Sequence, residues 1–135
     1  MNMRLCNALA AAVFACLPGL AGASMHCAEK DRLGNRSEAT IVTDQRGGIA
    51  SFHWAMHTPA GGSCAFDSSD FSLTPRGDAT EFRAASGCRL FVWAQGTGIT
   101  LAHNACEAQC SGPEAHDYLW PIVFDRRGGG CGRPR

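Results

Sequence analysis

The sequence has no excess of charge of either sign. Twelve Lys and Arg stand against twelve Asp and Glu, for a formal net charge of +0 at pH 7. A dedicated nucleic-acid binder carries a clear basic surplus, so no nucleic-acid partner is expected. Lysine is almost missing: Lys30 is the only one, and every other basic side chain is arginine. That scarcity reflects coding bias more than chemistry. No stretch reaches the roughly 20 consecutive apolar residues that a membrane-spanning helix needs, so no transmembrane segment is expected. The G-x-S-x-G elbow of many serine hydrolases is absent. A second metal knuckle is absent too. Cys106-x-x-x-Cys110, with His103 nearby, has zinc-like spacing, but structural zinc sites pair two such knuckles, and the other cysteines are scattered. These gaps lead to the expectation of a protein without catalytic residues, metal or cofactor.

What the chain does have is eight cysteines in 135 residues, divided around an N-terminal leader. Met1 to Ala23 reads as a secretory signal peptide. Arg4 supplies the positive start, Leu5 to Phe14 the apolar run, Pro18-Gly19 the break, and Ala21-Gly22-Ala23 a small-residue cleavage site. A rival reading places a lipid anchor on Cys16, because Val13-Phe14-Ala15-Cys16 partly matches a lipoprotein signal. Cleavage after Ala23 removes Cys6 and Cys16. It leaves Ser24 to Arg135 as a single domain with 11 basic and 12 acidic residues. Six cysteines remain: Cys27, Cys64, Cys88, Cys106, Cys110 and Cys131. An even set in a short exported domain reads as three disulfides. The pairing expected here is Cys27–Cys64, Cys88–Cys106 and Cys110–Cys131, one of fifteen possibilities that sequence leaves open. A periplasmic or secreted location follows, because disulfides persist where the milieu is oxidising.

From Glu38 onward, short β-prone runs alternate with Gly, Pro and Asp punctuation, the pattern of an all-β antiparallel barrel or sandwich. Strands are expected at Glu38 to Asp44, Ile49 to His57, Cys64 to Phe66 with Phe71 to Thr74, Ala79 to Ala85, Cys88 to Gln95, Ile99 to His103 and Tyr118 to Phe124. Phe52, Trp54 and Met56 should share a buried face, and Phe82 should point inward. Apolar residues on both faces of Arg89-Leu90-Phe91-Val92-Trp93 mark a central strand. Pro121 demotes the last strand to an edge. Ser24 to Ser37 is polar and is expected to be irregular, with one helical turn or a crossover over Ala105 to Cys110. Asp125 to Arg135 is a Gly- and Arg-rich tail anchored by Cys131.

Several residues invite chemistry. His53 and His57 would share a strand face about 13 Å apart, too far for one ion. Arg76-Gly77-Asp78 spells an integrin-binding tripeptide where a turn is expected. Glu107, Glu114, His116 and Asp117 cluster as a conceivable acid/base group or a solvated loop. Arg126, Arg127, Arg133 and Arg135 make a cationic end that suits an anionic polymer or acidic cleft, or simply a frayed terminus.

The run Ser86-Gly87-Cys88-Arg89-Leu90, the Gly turn after it, Cys106-x-x-x-Cys110 and the final Cys131 resemble small cysteine-rich periplasmic proteins of Gram-negative bacteria. Those are similar to periplasmic lysozyme inhibitors, disulfide-bearing antiparallel β-barrels that plug a lysozyme cleft. The resemblance covers about the last 50 residues. It implies a protein partner, specifically a cell-wall hydrolase. The inhibitors' S-G-x-x-Y motif has no copy here: Ser86-Gly87 is followed by Cys88 and Arg89, and Ser111-Gly112 stands too far from Tyr118. Partner-binding candidates are therefore Ser111, His116, Tyr118, Arg126 and Arg127, with an arginine suited to the paired carboxylates of a glycosidase cleft. A structural or small-ligand-binding envelope protein is the alternative. A small enzyme or toxin using His103 to Asp117 is a third.

Overall fold

A computed structural model describes residues 22–76 and 79–132. The leader to residue 21, Gly77-Asp78 of the tripeptide, and Arg133 to Arg135 lie outside the described residues. The chain forms β1 (Ser24–Lys30), β2 (Arg36–Thr43), β3 (Ile49–His57), β4 (Ser63–Asp67), β5 (Phe71–Arg76), β6 (Ala79–Ala84), β7 (Arg89–Gln95), β8 (Gly98–Asn104), β9 (Cys110–Ser111) and β10 (Ile122–Asp125). Two antiparallel five-stranded sheets result, in the orders β1-β2-β3-β4-β9 and β10-β8-β7-β6-β5. The sheets do not close into one barrel, so the fold is the sandwich form of the expected all-β class. Among the described residues, no helix is long and apolar enough to cross a membrane.

Period-two alternation builds the core. Phe52, Trp54 and Met56 of β3 all point inward and are buried. Trp54 stacks on Phe66 directly across the β3–β4 pair, with ring centroids 4.9 Å apart. Its indole Nε1–H donates to Ser37 Oγ at 2.9 Å, so the buried ring leaves no orphaned donor. From the facing sheet come Phe82, Leu90, Val92, Leu101, Ile122 and Phe124. Phe52 meets Phe82 edge-on at 4.8 Å, tying the two layers together. β7 is the central strand of its sheet, as its two apolar faces suggest. On its outer face the Arg89 guanidinium lies 5.6 Å over the Phe91 ring. There Glu81 is only 1 % exposed. Its carboxylate accepts from Arg83 Nε at 3.2 Å and lies 3.6 Å from Arg89 Nη1. A buried carboxylate needs such paired, hydrogen-bonded cations.

The single strand expected over Cys64 to Phe66 and Phe71 to Thr74 is split by the 3₁₀ turn Ser68–Asp70 into β4 and β5, which lie in different sheets. Three further sequence expectations are corrected. Ser24 to Lys30 is not irregular: it is β1, paired along its whole length with β2. Only Met25 and Cys27 face inward, because β1 is an edge strand with little core to meet. The last strand is shorter than Tyr118 to Phe124. Ala115–Tyr118 is a 3₁₀ turn, and pairing to β8 begins at Ile122, after Pro121. β10 is an edge strand, and Pro121 lies just outside its paired residues.

The third correction is disulfide pairing. Cys88–Cys106 is present as expected. The other two bridges are Cys27–Cys131 and Cys64–Cys110. Cys27 and Cys64 sit on β1 and β4, with β2 and β3 between them. Three strand spacings put them roughly 14 Å apart, beyond the reach of about 7 Å between Cα atoms. Cys64 instead faces Cys110 across the β4–β9 pair. The tail turns back after Asp125, pairs Cys131 with Phe124, and receives the His26 N–H on the Gly129 carbonyl at 2.9 Å. It thereby fills the seam between β10 and β1, and Cys27–Cys131 locks it there.

Candidate functional site

The segment between β8 and β9 crosses from one sheet to the other. Cys106 fastens its start to Cys88, ahead of β7, and Cys110 fastens its end to β4. Beyond Ser111 the chain folds back over the β3–β4 turn. Gly112 makes this approach possible: its φ is +80°, and a Cβ there would come within 2.8 Å of the Gly62 Cα. The 3₁₀ turn Ala115–Tyr118 follows, then Leu119, which is buried, and Trp120, which is 65 % exposed. His103 Nε2–H donates to the Leu119 carbonyl at 2.7 Å and fixes the backbone just before Trp120.

The opposite wall comes from the β1–β2 turn. Asp31 organises it: Oδ1 accepts the N–H groups of Leu33 and Asn35, each at 2.9 Å, and Oδ2 accepts Asn35 Nδ2 at 2.8 Å. These bonds, led by the Asn35 side chain, hold the Asp31 carboxyl below its ordinary pKa. Gly34, with φ +87°, completes the turn. The result buries Asn35 and thrusts Leu33 outward, 67 % exposed.

Between these walls runs a groove of about 340 Å³ lined by Tyr118, Trp120, Met56, Arg36 and Lys30, among others. A smaller hollow of about 210 Å³ shares Asn35 and Tyr118 with it and extends past Leu33, Pro59 and Pro113. Aromatic and apolar side chains thus share the lining with the charged groups of Glu29, Lys30, Asp31 and Arg36.

The sequence candidates divide on this geometry. Tyr118 lines the groove. Ser111 lies on the short edge strand β9, its hydroxyl 3.4 Å from that of Ser63. His116 turns inward, its ring 5.4 Å edge-on from that of His103. Of the conceivable acid/base group, Glu107 Oε1 comes within 3.6 Å of His116 Nε2, while Glu114 and Asp117 are exposed. Arg126 and Arg127 sit at the other end of β10. There the Arg126 N–H donates to Thr97 O and the Arg127 N–H to Asp125 Oδ1. His53 and His57 are surface residues of β3, and His53 faces Asp67 at 3.4 Å. Sequence reasoning missed Leu33 and Trp120. Asp31 followed by Leu33-Gly34 was a readable turn signal for the first. Trp120 was hidden by its place in an apparently continuous β-run.

Comparison with protein-family models, with curated proteins and with solved structures yields no match.

Proposed function

We propose that this is an exported, non-catalytic binding protein that takes a protein partner at the groove under Trp120, the favoured partner being a lysozyme-like peptidoglycan hydrolase. The observation that carries the reading is Trp120 itself: a large aromatic ring held in water beside Tyr118, on backbone fixed by two disulfides and the His103 bond. Exposing such a ring forgoes burial, and Trp and Tyr in rigid pockets are the commonest anchors of protein interfaces. Three disulfides suit an oxidising compartment and accord with the leader read from sequence. Arg36, at the groove, replaces the tail arginines as the cation suited to catalytic carboxylates of a glycosidase.

The test is a cell-wall lysis assay in which the oxidised protein is titrated against a panel of lysozymes and other peptidoglycan hydrolases. Stoichiometric protection from one of them is the expected result. A second reading, a small-ligand carrier, draws on the groove's volume of about 340 Å³, within the range of small-molecule sites. Native mass spectrometry of the purified protein distinguishes it: an added ligand mass supports the carrier, and a bare mass supports the protein partner.

A further inference from the structure

We propose that His103 and His116, completed by the Glu107 carboxylate, bind one divalent transition-metal ion of the imidazole-preferring kind, zinc or copper. This site is separate from the groove and uses no thiol, since all six described cysteines are in disulfides.

His103 Nε2 sits 2.7 Å from the Leu119 carbonyl, which can only accept, so this nitrogen carries the proton. Nδ1 of the neutral ring is then a bare lone pair. That is how metal-binding histidines are commonly arranged, one nitrogen donating to a carbonyl and the other facing the ion. His103 Nδ1 is buried without a hydrogen-bond partner, and so is His116 Nε2. Buried nitrogens left this way are costly and rare. Here two occur on adjacent rings whose centroids are 5.4 Å apart. Two imidazoles sharing one tetrahedral ion, with bonds of about 2.0–2.1 Å, have centroids separated by about 5 Å.

Glu107 Oε1 lies 3.6 Å from His116 Nε2. His103, His116 and Glu107 do not place one ligand atom each within 4.8 Å of one another; since Glu107 Oε1 is already 3.6 Å from His116 Nε2, the gap lies toward His103. Binding therefore requires the His116 ring and the Glu107 side chain, which is 69 % exposed, to turn toward His103 Nδ1. Among the described residues, the one trio already that compact, Cys27, Glu29 and Cys131, has both sulfurs spent in a disulfide. The segment carrying His116 and Glu107 is also strained at its joints. Ala105 and Glu114 take left-handed φ values of 55° and 58°, conformations that non-glycine residues hold mainly where the surroundings demand it.

The experiment is calorimetric titration of the oxidised, metal-stripped protein with Zn²⁺ at neutral pH. The expected result is one ion per chain. Affinity should fall by roughly tenfold or more in His103→Gln and in His116→Gln, a loss typical even of outer partners of a metal ligand. It should fall less in Glu107→Gln and not at all in His53→Gln. No binding, or binding that both histidine variants retain, overturns the proposal. If the His103 or His116 variants do not fold, Cu²⁺ quenching of tryptophan fluorescence in the Trp93→Phe/Trp120→Phe background decides. The Trp54 ring lies 6.0 Å from that of His103. Saturable one-to-one quenching supports the site, and unchanged Trp54 emission overturns it.

Discussion

At one end of the sandwich, Leu33, Tyr118 and Trp120 gather around a groove whose walls are set by an Asp-centred turn and a doubly stapled crossing. At the other end, Arg126 and Arg127 project from a Gly-rich turn beside the β7–β8 hairpin. The hollow on that side is larger, about 800 Å³, but no Leu33 or Trp120 counterpart stands exposed along it, and Thr97, Gly98, Thr100 and Asp125 are among its lining. The four residues of β10 separate the two ends by about 13 Å. The difference lies in which large apolar side chains stand free: Leu33 and Trp120 are exposed beside the groove, whereas Trp93, Val123 and Phe124 along the larger hollow are half-buried or buried, and the proposed partner site is put beside the former.

The largest effects should come from the bridges that hold this arrangement. Cys27–Cys131 closes 104 residues and Cys88–Cys106 only 18. Loop-entropy reasoning puts removal of the first at about 4–5 kcal/mol and of the second at about 3 kcal/mol. Urea denaturation of the paired Cys→Ser variants measures both. The long bridge should cost more stability, whereas losing Cys64–Cys110 should do the greater damage to partner binding. The reverse pattern would mean the crossing does not position the groove.

Gly112→Ala should destabilise by about 1–3 kcal/mol, because alanine must hold a left-handed φ while its methyl meets the Gly62 backbone. The same denaturation measures it, and partner binding should suffer along with stability. A smaller effect is expected from Asp31. Its lowered pKa means that the carboxylate's contribution is fully present above the ordinary aspartate value near 4. That contribution is lost as pH falls through the lower folded value. Melting curves taken between neutral pH and pH 2 should therefore fall less steeply for Asp31→Asn than for the parent. Asp67, lowered mainly by its bonds to Ser69, remains in both proteins and sets the background. The smallest effect belongs to Arg126→Ala/Arg127→Ala, exposed and far from the groove. It should change stability by no more than about 0.5 kcal/mol and leave partner binding intact.

The fold was largely legible because inward and outward residues alternate so regularly in β2, β3, β7 and β8. Phe52-x-Trp54-x-Met56 could be assigned a face from spacing alone, and the structure buries all three. β1 was not legible. Its two inward residues, Met25 and Cys27, are too few to show a period against exposed His26, Glu29 and Lys30. Disulfide partners depend on which strands are neighbours, and strand order is a long-range property: Cys64 finds Cys110 through β9, a strand of two residues. The candidate site was legible in part. Tyr118 was singled out through the loop that begins at Ser111-Gly112, but Trp120 is made conspicuous only by Pro121 delaying β10 until Ile122. The inward turn of His116 toward His103 depends on the crossing and could not be read from spacing.

The measurement that bears most directly on the account is partner protection by two variants side by side: Trp120→Ala and Arg126→Ala/Arg127→Ala, each oxidised and titrated against whichever hydrolase of the panel the parent protein is found to inhibit. The account predicts that Trp120→Ala loses protection by tenfold or more at unchanged melting temperature, while the tail variant protects as the parent does. Full protection by Trp120→Ala together with loss in the tail variant would contradict it and move the binding surface to the opposite end of the sandwich.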